Sequence, residues 1–513
     1  MSERSGKEYD VDLLVIGGGV NGTGIAADAA GRGLSVLLCE KGDLGSATSS
    51  SSSKLIHGGL RYLEHYEFKL VREALAEREV LLAKAPHIIW PLRFRLPHQK
   101  HLRPEWMIRA GLFLYDSLAK RNVLPRSRKV KTHAQGPLVA DIKTCFEYSD
   151  CWVDDARLVI LNALAARDQG ADIRPQTECV GVQPNGKCWQ VTLKSKDGSS
   201  QTVKARALVN AAGPWAASFL ERVSGNVQKQ SMRMVKGSHI IVPRLYDSEE
   251  AYILQNKDGR IVFTIPFEGD FTLVGTTDED YTGDPSNASI SEAEKGYLIE
   301  IVNQYFRHKI SADDIVHTYS GVRPLLEDES ASAQTLTRDY RIELNNESGH
   351  PPLLNIFGGK ITTFRTLSQS AVDKLKVIFP RMKASWTRRP ALPGGSFSSH
   401  GQLESDLRVQ YPWLPEELCA RYVRQYGLLC HKFLAGKSQL SAMGQDFGAG
   451  LMQAEVDYLI EEEWASCAED ILWRRTKQGL RLSGEQVKVL ETYLSERRCS
   501  RAELSARPAV GAA

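Results

Sequence analysis

The spacing of apolar and polar positions divides the chain into three kinds of sequence. In DVDLLVIGGGVNGTGIAADAAGRGLSVLLCEKGDLGS, an apolar run from Val11 to Ile16 meets a glycine turn and an alanine-rich stretch. A second apolar run, Ser35 to Cys39, then stops at Glu40. Runs bounded in this way predict buried parallel strands joined by a helix, a β-α-β unit. From Tyr66 to Leu82, Leu70, Val71, Ala74 and Leu75 recur at helical spacing with charges elsewhere, which predicts an amphipathic helix.

After DCWVDDARLVILNALAARDQGADI, which reads as helix then strand, shorter alternating runs begin. ECVGV and CWQVTLKS flank the turn Pro184-Asn185-Gly186, and TVKARALVNAAGPW follows Lys196-Asp197-Gly198, giving a β-meander. Between 225 and 335 the runs SHIIVP, RIVFTIPF and FTLVGTTD predict a separate sheet, and PLLNIFGGKITTFRTLSQSAVDKL returns to a strand-glycine-helix junction. RRPALPGGSFSSHGQ (388–402) reads as a linker, and the sequence beyond it as helices rich in Trp and Arg. The expected architecture is α/β, with a discontinuous Rossmann-like nucleotide-binding domain (1–92, 145–224 and 336–387). An antiparallel-β cap (93–144 and 225–335) and an all-α C-terminal domain (403–513) complete it.

A length of 513 residues agrees with two or three domains, and 42% hydrophobic with 25% charged residues is a soluble globular composition. A formal charge of +3 argues against a whole-molecule nucleic-acid footprint, although a local basic patch stays open. Segment 93–131 is such a patch, with 11 Lys or Arg against 2 Asp or Glu, interleaved with Trp106, Met107, Ile108, Leu112, Phe113 and Leu114. It reads as an amphipathic surface for anionic lipid, as a solvated helix packed on the core, or as an RNA-binding patch. The nine cysteines show no C-x-x-C pair or metal-ligand spacing, so a reducing compartment and no metal site are expected. MSERSGKEYD has no apolar signal core, and no run reaches the roughly 18 apolar residues of a membrane span. A cytoplasmic place, at most on a membrane surface, follows.

Gly17, Gly19 and Gly22 form G-x-G-x-x-G between strand and helix, extended by Gly24, and Glu40 lies 23 residues after Gly17. Glycines there permit the tight turn, the approach of backbone to a pyrophosphate and close helix–strand packing, while the carboxylate suits ribose hydroxyls. The spacing itself does not separate FAD from NAD. The inserted meander ending in LVNAAGPW, the FGGKITT junction (Phe357 to Thr363) and the lack of a second fingerprint favour FAD.

ATSSSSSKLIHGGLRYLEHYEF, EYSDCWVDDARL, KGSHIIVP, VGTTD, TYSGVRPL, TRDY, FGGK and LWRRTKQG resemble the FAD-dependent glycerol-3-phosphate dehydrogenases, above all the bacterial aerobic, respiratory branch, over essentially the whole chain. The resemblance implies the fold of the D-amino-acid and glycine oxidases with an added helical domain. It implies oxidation of sn-glycerol 3-phosphate to dihydroxyacetone phosphate by hydride transfer to noncovalent FAD. Electrons would pass to ubiquinone from a homodimer bound peripherally to the cytoplasmic face of the inner membrane. The chain departs from its relatives in having Ala211-Ala212 before Gly213, where Asn-Ala-Thr-Gly-Pro-Trp is common, which removes a hydroxyl. The tail LSARPAVGAA also has no calcium loop.

Roles follow from the same resemblance. Backbone and hydroxyls from Ala47 to Ser53, with Thr48, Ser49 and Ser53, then Lys54 and Leu55, are expected to wall the pyrophosphate and flavin edge rather than form a linker. His57-Gly58-Gly59 would pass beneath the ring. Gly213, Gly358, Gly359, Lys360, Ile361 and Thr362 complete the cofactor set. Arg323 and Arg338 would clamp the phosphate dianion, helped by Lys360, Arg61 and Tyr62, with Thr276 reaching substrate or flavin. For the base, His57 is favoured over His239, with Lys236 polarising the oxygen. Two other readings stay open: a glycerol-phosphate oxidase using O2 and releasing H2O2, and a flavin-binding redox sensor without turnover. The C-terminal helices read as a packing and interface domain in which Arg474 and Arg475 have no derived role.

Overall fold

The computed structural model describes residues 9–99, 102–224, 232–326, 340–346 and 350–506, and its strand counts are of these residues. The chain forms two compact units, divided between Leu392 and Pro393.

In the first unit an eight-stranded sheet runs in the order Tyr340–Asn345, Leu353–Gly358, Ser200–Asn210, Val11–Ile16, Val36–Cys39, Asp172–Arg174. The meander strands Thr177–Asn185 and Cys188–Ser195 hang from Ser200–Asn210. Val11–Ile16 is parallel to both of its neighbours, so the order reverses about the strand that carries the glycine turn. In open α/β sheets a ligand crevice opens at such a reversal, beyond the carboxyl ends of the strands. Helix Asp155–Asp168 is buried nearly all round, and Asp154 caps it by accepting from the Arg157 amide.

A second, ten-stranded sheet runs Glu279–Asp280, Met232–Pro243, Phe271–Gly275, Ile261–Phe267, Ala251–Gln255, Ile89–Pro97, Thr144–Val153, Leu55–Ile56. His317–Leu326 pairs with Met232–Pro243, and Arg128–Lys131 with Thr144–Val153. Two features differ from expectation. The sheet is mixed, because Ala251–Gln255 lies parallel to Ile89–Pro97. It also takes Leu55–Ile56, much of Ile89–Pro97 and most of Thr144–Val153 from stretches the sequence reading gave to the cofactor domain. TCFEYSDCWV is buried at nine of its ten positions, so its alternation vanishes and the run gives no signal of which sheet it joins.

Along Met232–Pro243, Ile240 and Val242 pack with Val274 and with Leu298, Ile301 and Val302 of helix Glu292–Tyr305. That face is the back of the sheet. Odd-numbered residues of the strand therefore point to the front.

The second unit has its own core, including Leu407, Tyr422, Tyr426, Val456 and Leu459. Buried polar groups run through it. Glu455 takes a bidentate pair from Arg421 (2.6 and 2.7 Å) and the Tyr426 hydroxyl at 2.6 Å. LWRRTKQG lies in this fabric: Arg474 pairs with Asp470 at 2.5 Å, and Arg475 donates to the Glu463 carbonyl at 2.7 Å. Both arginines are structural. Replacing Glu455 by Gln is expected to destabilise this unit by about 3 kcal/mol, because Arg421 loses its buried counter-charge. Calorimetry checks this as a lowered transition of the helical unit.

Candidate functional site

At the nucleotide end, Gly17 has φ +112°, and a Cβ on it would lie 2.4 Å from the Ala211 carbonyl oxygen. A Cβ on Gly22 would lie 1.9 Å from the Gly17 carbonyl oxygen, so only glycine lets the first helix seat on the first strand. Helix Val20–Gly31 starts at Gly19 without a side-chain cap of its own, and the Val20 amide donates to Ser49 Oγ at 3.0 Å. Glu40, just past the second strand, accepts from the Gly18 and Gly42 amides at 2.6 and 2.8 Å. Burial pushes its carboxyl above the usual range, against the pull of those two amides. A glycine-lined helix start beside a carboxylate at the strand reversal suits the pyrophosphate and ribose of a dinucleotide. Gly18 belongs to this cradle and was passed over in sequence, although GlyGlyGly signals it: its Cβ would meet Glu40 Cβ at 2.7 Å.

The serine run is fixed at nearly every residue. Thr48 Oγ1 donates to the Val322 carbonyl at 2.6 Å, and Ser52 Oγ donates to Asp155 Oδ2 at 2.8 Å. Tyr319 OH donates to the Ser52 carbonyl at 2.8 Å, and Ser53 Oγ meets His239 Nε2 at 2.9 Å. Lys54, buried and left-handed at φ +57°, donates to Asp155 Oδ1 at 2.7 Å and to the Ser50 carbonyl at 3.1 Å. Leu55 then pairs with Trp152 in the second sheet. The segment is a wall, and Asp155 and Tyr319, which hold it, were not found in sequence.

The front of the second sheet faces this wall. Register pairs Val235 with Arg323, Gly237 with Gly321 and His239 with both Tyr319 and Gly275. Each of those glycines makes room for a neighbour. A Cβ on Gly237 would sit 2.1 Å from Arg323 Nη2, on Gly275 2.1 Å from the His239 ring, and on Gly321 2.7 Å from Ser51 Cβ. Arg323 donates to Asp278 Oδ1 at 2.9 Å and to Thr276 Oγ1 at 3.1 Å. His239 is 1% exposed and stacks on Tyr319 at 4.8 Å. Its Nδ1 is buried without a hydrogen-bond partner among the described residues. Burial, then the positive charges of Arg323 and Lys54, hold its pKa well below the ordinary histidine value, so the ring is neutral.

The other expected residues divide. Lys236 lies on the back face, with Nζ 2.8 Å from Glu294 Oε2 and 3.1 Å from the Ser289 carbonyl. Strand alternation thus turns it away from the face that carries His239, contrary to the expected pairing of the two. The His57 amide donates to Thr362 Oγ1 at 3.2 Å, joining the HisGlyGly turn to the GlyGlyLys junction. Gly58 is held by Tyr115 OH at 2.9 Å, and Lys360 Nζ lies 3.8 Å over the Tyr62 ring. Gly213, Gly358 and Gly359 all have positive φ, and Ile361–Thr363 forms a short turn of helix before Phe364–Lys374. Arg61, half-buried, follows the left-handed Gly59. Arg338 lies outside the described residues.

Residues 12–365 match the family model described as FAD dependent oxidoreductase, and residues 385–495 match the C-terminal domain of alpha-glycerophosphate oxidase. A glycerol-3-phosphate dehydrogenase of Pseudomonas aeruginosa is 54% identical, covering 94% of each chain. The aerobic glycerol-3-phosphate dehydrogenase of Escherichia coli is 50% identical, over 94% of this chain and 97% of its own. A D-erythritol 1-phosphate dehydrogenase of Brucella abortus is 49% identical, over 92% and 95%. The crystal structure of a glycerol-3-phosphate dehydrogenase from Bacillus halodurans, complexed with FAD, superposes with a TM-score of 0.71 at 24% identity, over 99% and 97%, and shares the fold.

Two histidines with depressed pKa values, buried His239 and partly buried His317, set a pH response. Burial, then Lys54, lowers His317 to about 4, and His239 is depressed by the causes given above. Below the ordinary pKa of about 6.5, the unfolded chain binds protons that the folded protein refuses. Their contribution is therefore fully present above about pH 6.5 and is lost as pH falls, at up to about 1.4 kcal/mol per unit for each ring. The thermal midpoint should drop between about pH 6.5 and about pH 4, and the His239→Asn, His317→Asn double variant should flatten that drop. An unchanged slope would contradict the depression of both rings.

Proposed function

The chain belongs to the FAD-dependent glycerol-3-phosphate dehydrogenases, and from that premise we propose how its residues act and where its electrons go. It oxidises sn-glycerol 3-phosphate, with FAD as cofactor. Bound FAD supplies the two-electron acceptor for the C2 hydrogen. The glycines and Glu40 at the strand reversal hold its nucleotide end, and the serine wall with the HisGlyGly and GlyGlyLys turns holds the flavin.

The substrate phosphate is a dianion, and Arg323 receives it, with Lys360, Arg61 and Arg338 as further cations. Thr276 orients the substrate beside Arg323. We place the proton acceptor at His239 rather than His57. The observation that carries this is the buried Nδ1, without a hydrogen-bond partner among the described residues, on the face shared with Arg323, while Nε2 is engaged by Ser53. Burial, then the charges of Arg323 and Lys54, depress the proton affinity of the ring in the free enzyme. A dianion arriving at Arg323 offsets those charges, so the imidazole becomes a better base once substrate is bound.

Helix Glu105–Ser117 supports delivery of electrons to a quinone at an anionic membrane surface. Only Leu112 and Tyr115 of it are buried, while Trp106 is 68% and Phe113 72% exposed, and Tyr66 and Phe68 are exposed nearby. An apolar face turned outward suits insertion between headgroups. The basic count overstates the charge available, since Arg93, Arg95 and Arg128 surround the buried Glu147. Among the described residues no helix is long and apolar enough to cross a membrane.

One experiment tests both halves. Purified holoenzyme mixed anaerobically with sn-glycerol 3-phosphate should bleach. A quinone in anionic vesicles should then restore its colour at least about tenfold faster than air. Trp106→Ser with Phe113→Ser should keep the bleaching and lose vesicle sedimentation. Faster recovery in air would favour an oxidase. The Brucella relative makes D-erythritol 1-phosphate the comparison substrate, and faster bleaching by it would reassign the substrate.

A further inference from the structure

We infer that Glu294 is a positioning residue for the oxidation: from the back of the second sheet it fixes Ser238 and Thr277, and through them the adjacent His239 and Thr276. The inference rests on the reading of His239 and Thr276 given above.

Glu294 sits in the first turn of helix Glu292–Tyr305 and is 1% exposed. Its Oε1 accepts from Ser238 Oγ and Thr277 Oγ1, both at 2.8 Å. Its Oε2 accepts from the Ser291 amide at 2.7 Å and pairs with Lys236 Nζ at 2.8 Å. An ionised carboxylate has about four acceptor positions, and all are taken. Only the Ser291 bond belongs to the capping box at this helix start; capping needs no more. The other three tie the helix to the sheet.

They close a ring. Thr277 Oγ1 accepts from the Ser238 amide at 2.9 Å, and Ser238 Oγ meets Ser320 Oγ at 2.8 Å. Two chain segments, at Lys236 and Ser238 and at Thr277, thus share one carboxylate, and Ser320 joins them through the Ser238 hydroxyl. Ser238 and His239 point to opposite faces of one strand, so fixing the first sets the direction of the second. Thr277 follows Thr276, which accepts from Arg323. Burial opposes ionisation of Glu294, but Lys236, the Ser291 amide and the two hydroxyls outweigh it and hold the carboxyl below its usual range.

A buried ion pair is a weak source of stability, and apolar residues fill such places at least as well. Ile240, Val274 and Leu298 already fill the surrounding core. What the charged group adds is directional restraint on Ser238, within its strand, and on Thr277, just past another, whose neighbours His239 and Thr276 carry the chemistry.

The test is anaerobic flavin bleaching by sn-glycerol 3-phosphate in holoenzyme, with the saturating rate and the half-saturating concentration read separately. Glu294→Gln keeps the shape but exchanges an acceptor oxygen for a donor. It is expected to lower the saturating rate about tenfold to a hundredfold, with flavin retained and the half-saturating concentration within about threefold. Ser291→Ala removes the helix cap without touching the bonds to Ser238 and Thr277. It should lower the thermal midpoint and leave the saturating rate unchanged. Thr277→Val removes one hydroxyl from the ring and should show the same split if Glu294→Gln does not hold flavin. Equal rates in Glu294→Gln and Ser291→Ala, or a rise in the half-saturating concentration without a fall in rate, would overturn the inference. A wild-type rate in His239→Asn would instead sink the site reading beneath it.

Discussion

The ion pair between Lys54 and Asp155 governs the rest of the site. Lys54 is a non-glycine residue in the left-handed region, which is costly for an L-residue, and both charges are buried. The conformation persists because the ammonium is met by Asp155 and by the Ser50 carbonyl, while Asp155 also takes Ser52. A polar run that would otherwise be free chain is thereby stretched across the mouth of the nucleotide fold. From that position Ser49 reaches the first helix and Ser53 reaches His239.

The second sheet is shaped to receive that wall. Gly237, Gly275 and Gly321 remove side chains where the Arg323 guanidinium, the His239 imidazole and Ser51 need room. Charge is then divided by face. Arg323 and a neutral His239 stand at the front, while Lys236 and Glu294 neutralise each other at the back. On the proposed reading, a dianionic substrate meets Arg323 at this face, where burial, then Arg323 and Lys54, keep the His239 ring neutral in the free enzyme.

What could be read from sequence was largely local. Gly17, Gly22 and Glu40 lie within one β-α-β unit, and chain order alone puts them together. The serine wall could be suspected from its motif, but its anchors could not: Asp155 bonds to Lys54 from 101 residues away and Tyr319 to Ser52 from 267. Lys236 and His239 share the motif KGSH, and their neighbourhood in sequence suggested a shared role. The two-residue period of a strand separates them, and only the packing of helix Glu292–Tyr305 reveals which face is which. The charge left free in the basic segment was likewise not legible, because Glu147 lies in another strand and pairs with three of its arginines.

Lys54→Met tests most directly whether the serine wall couples cofactor to substrate. The measurement is the flavin bound per chain, followed by its anaerobic bleaching rate with saturating sn-glycerol 3-phosphate. Loss of most of the flavin, and bleaching slowed at least about tenfold in what remains, is the predicted result. Full flavin content with a wild-type bleaching rate would contradict it.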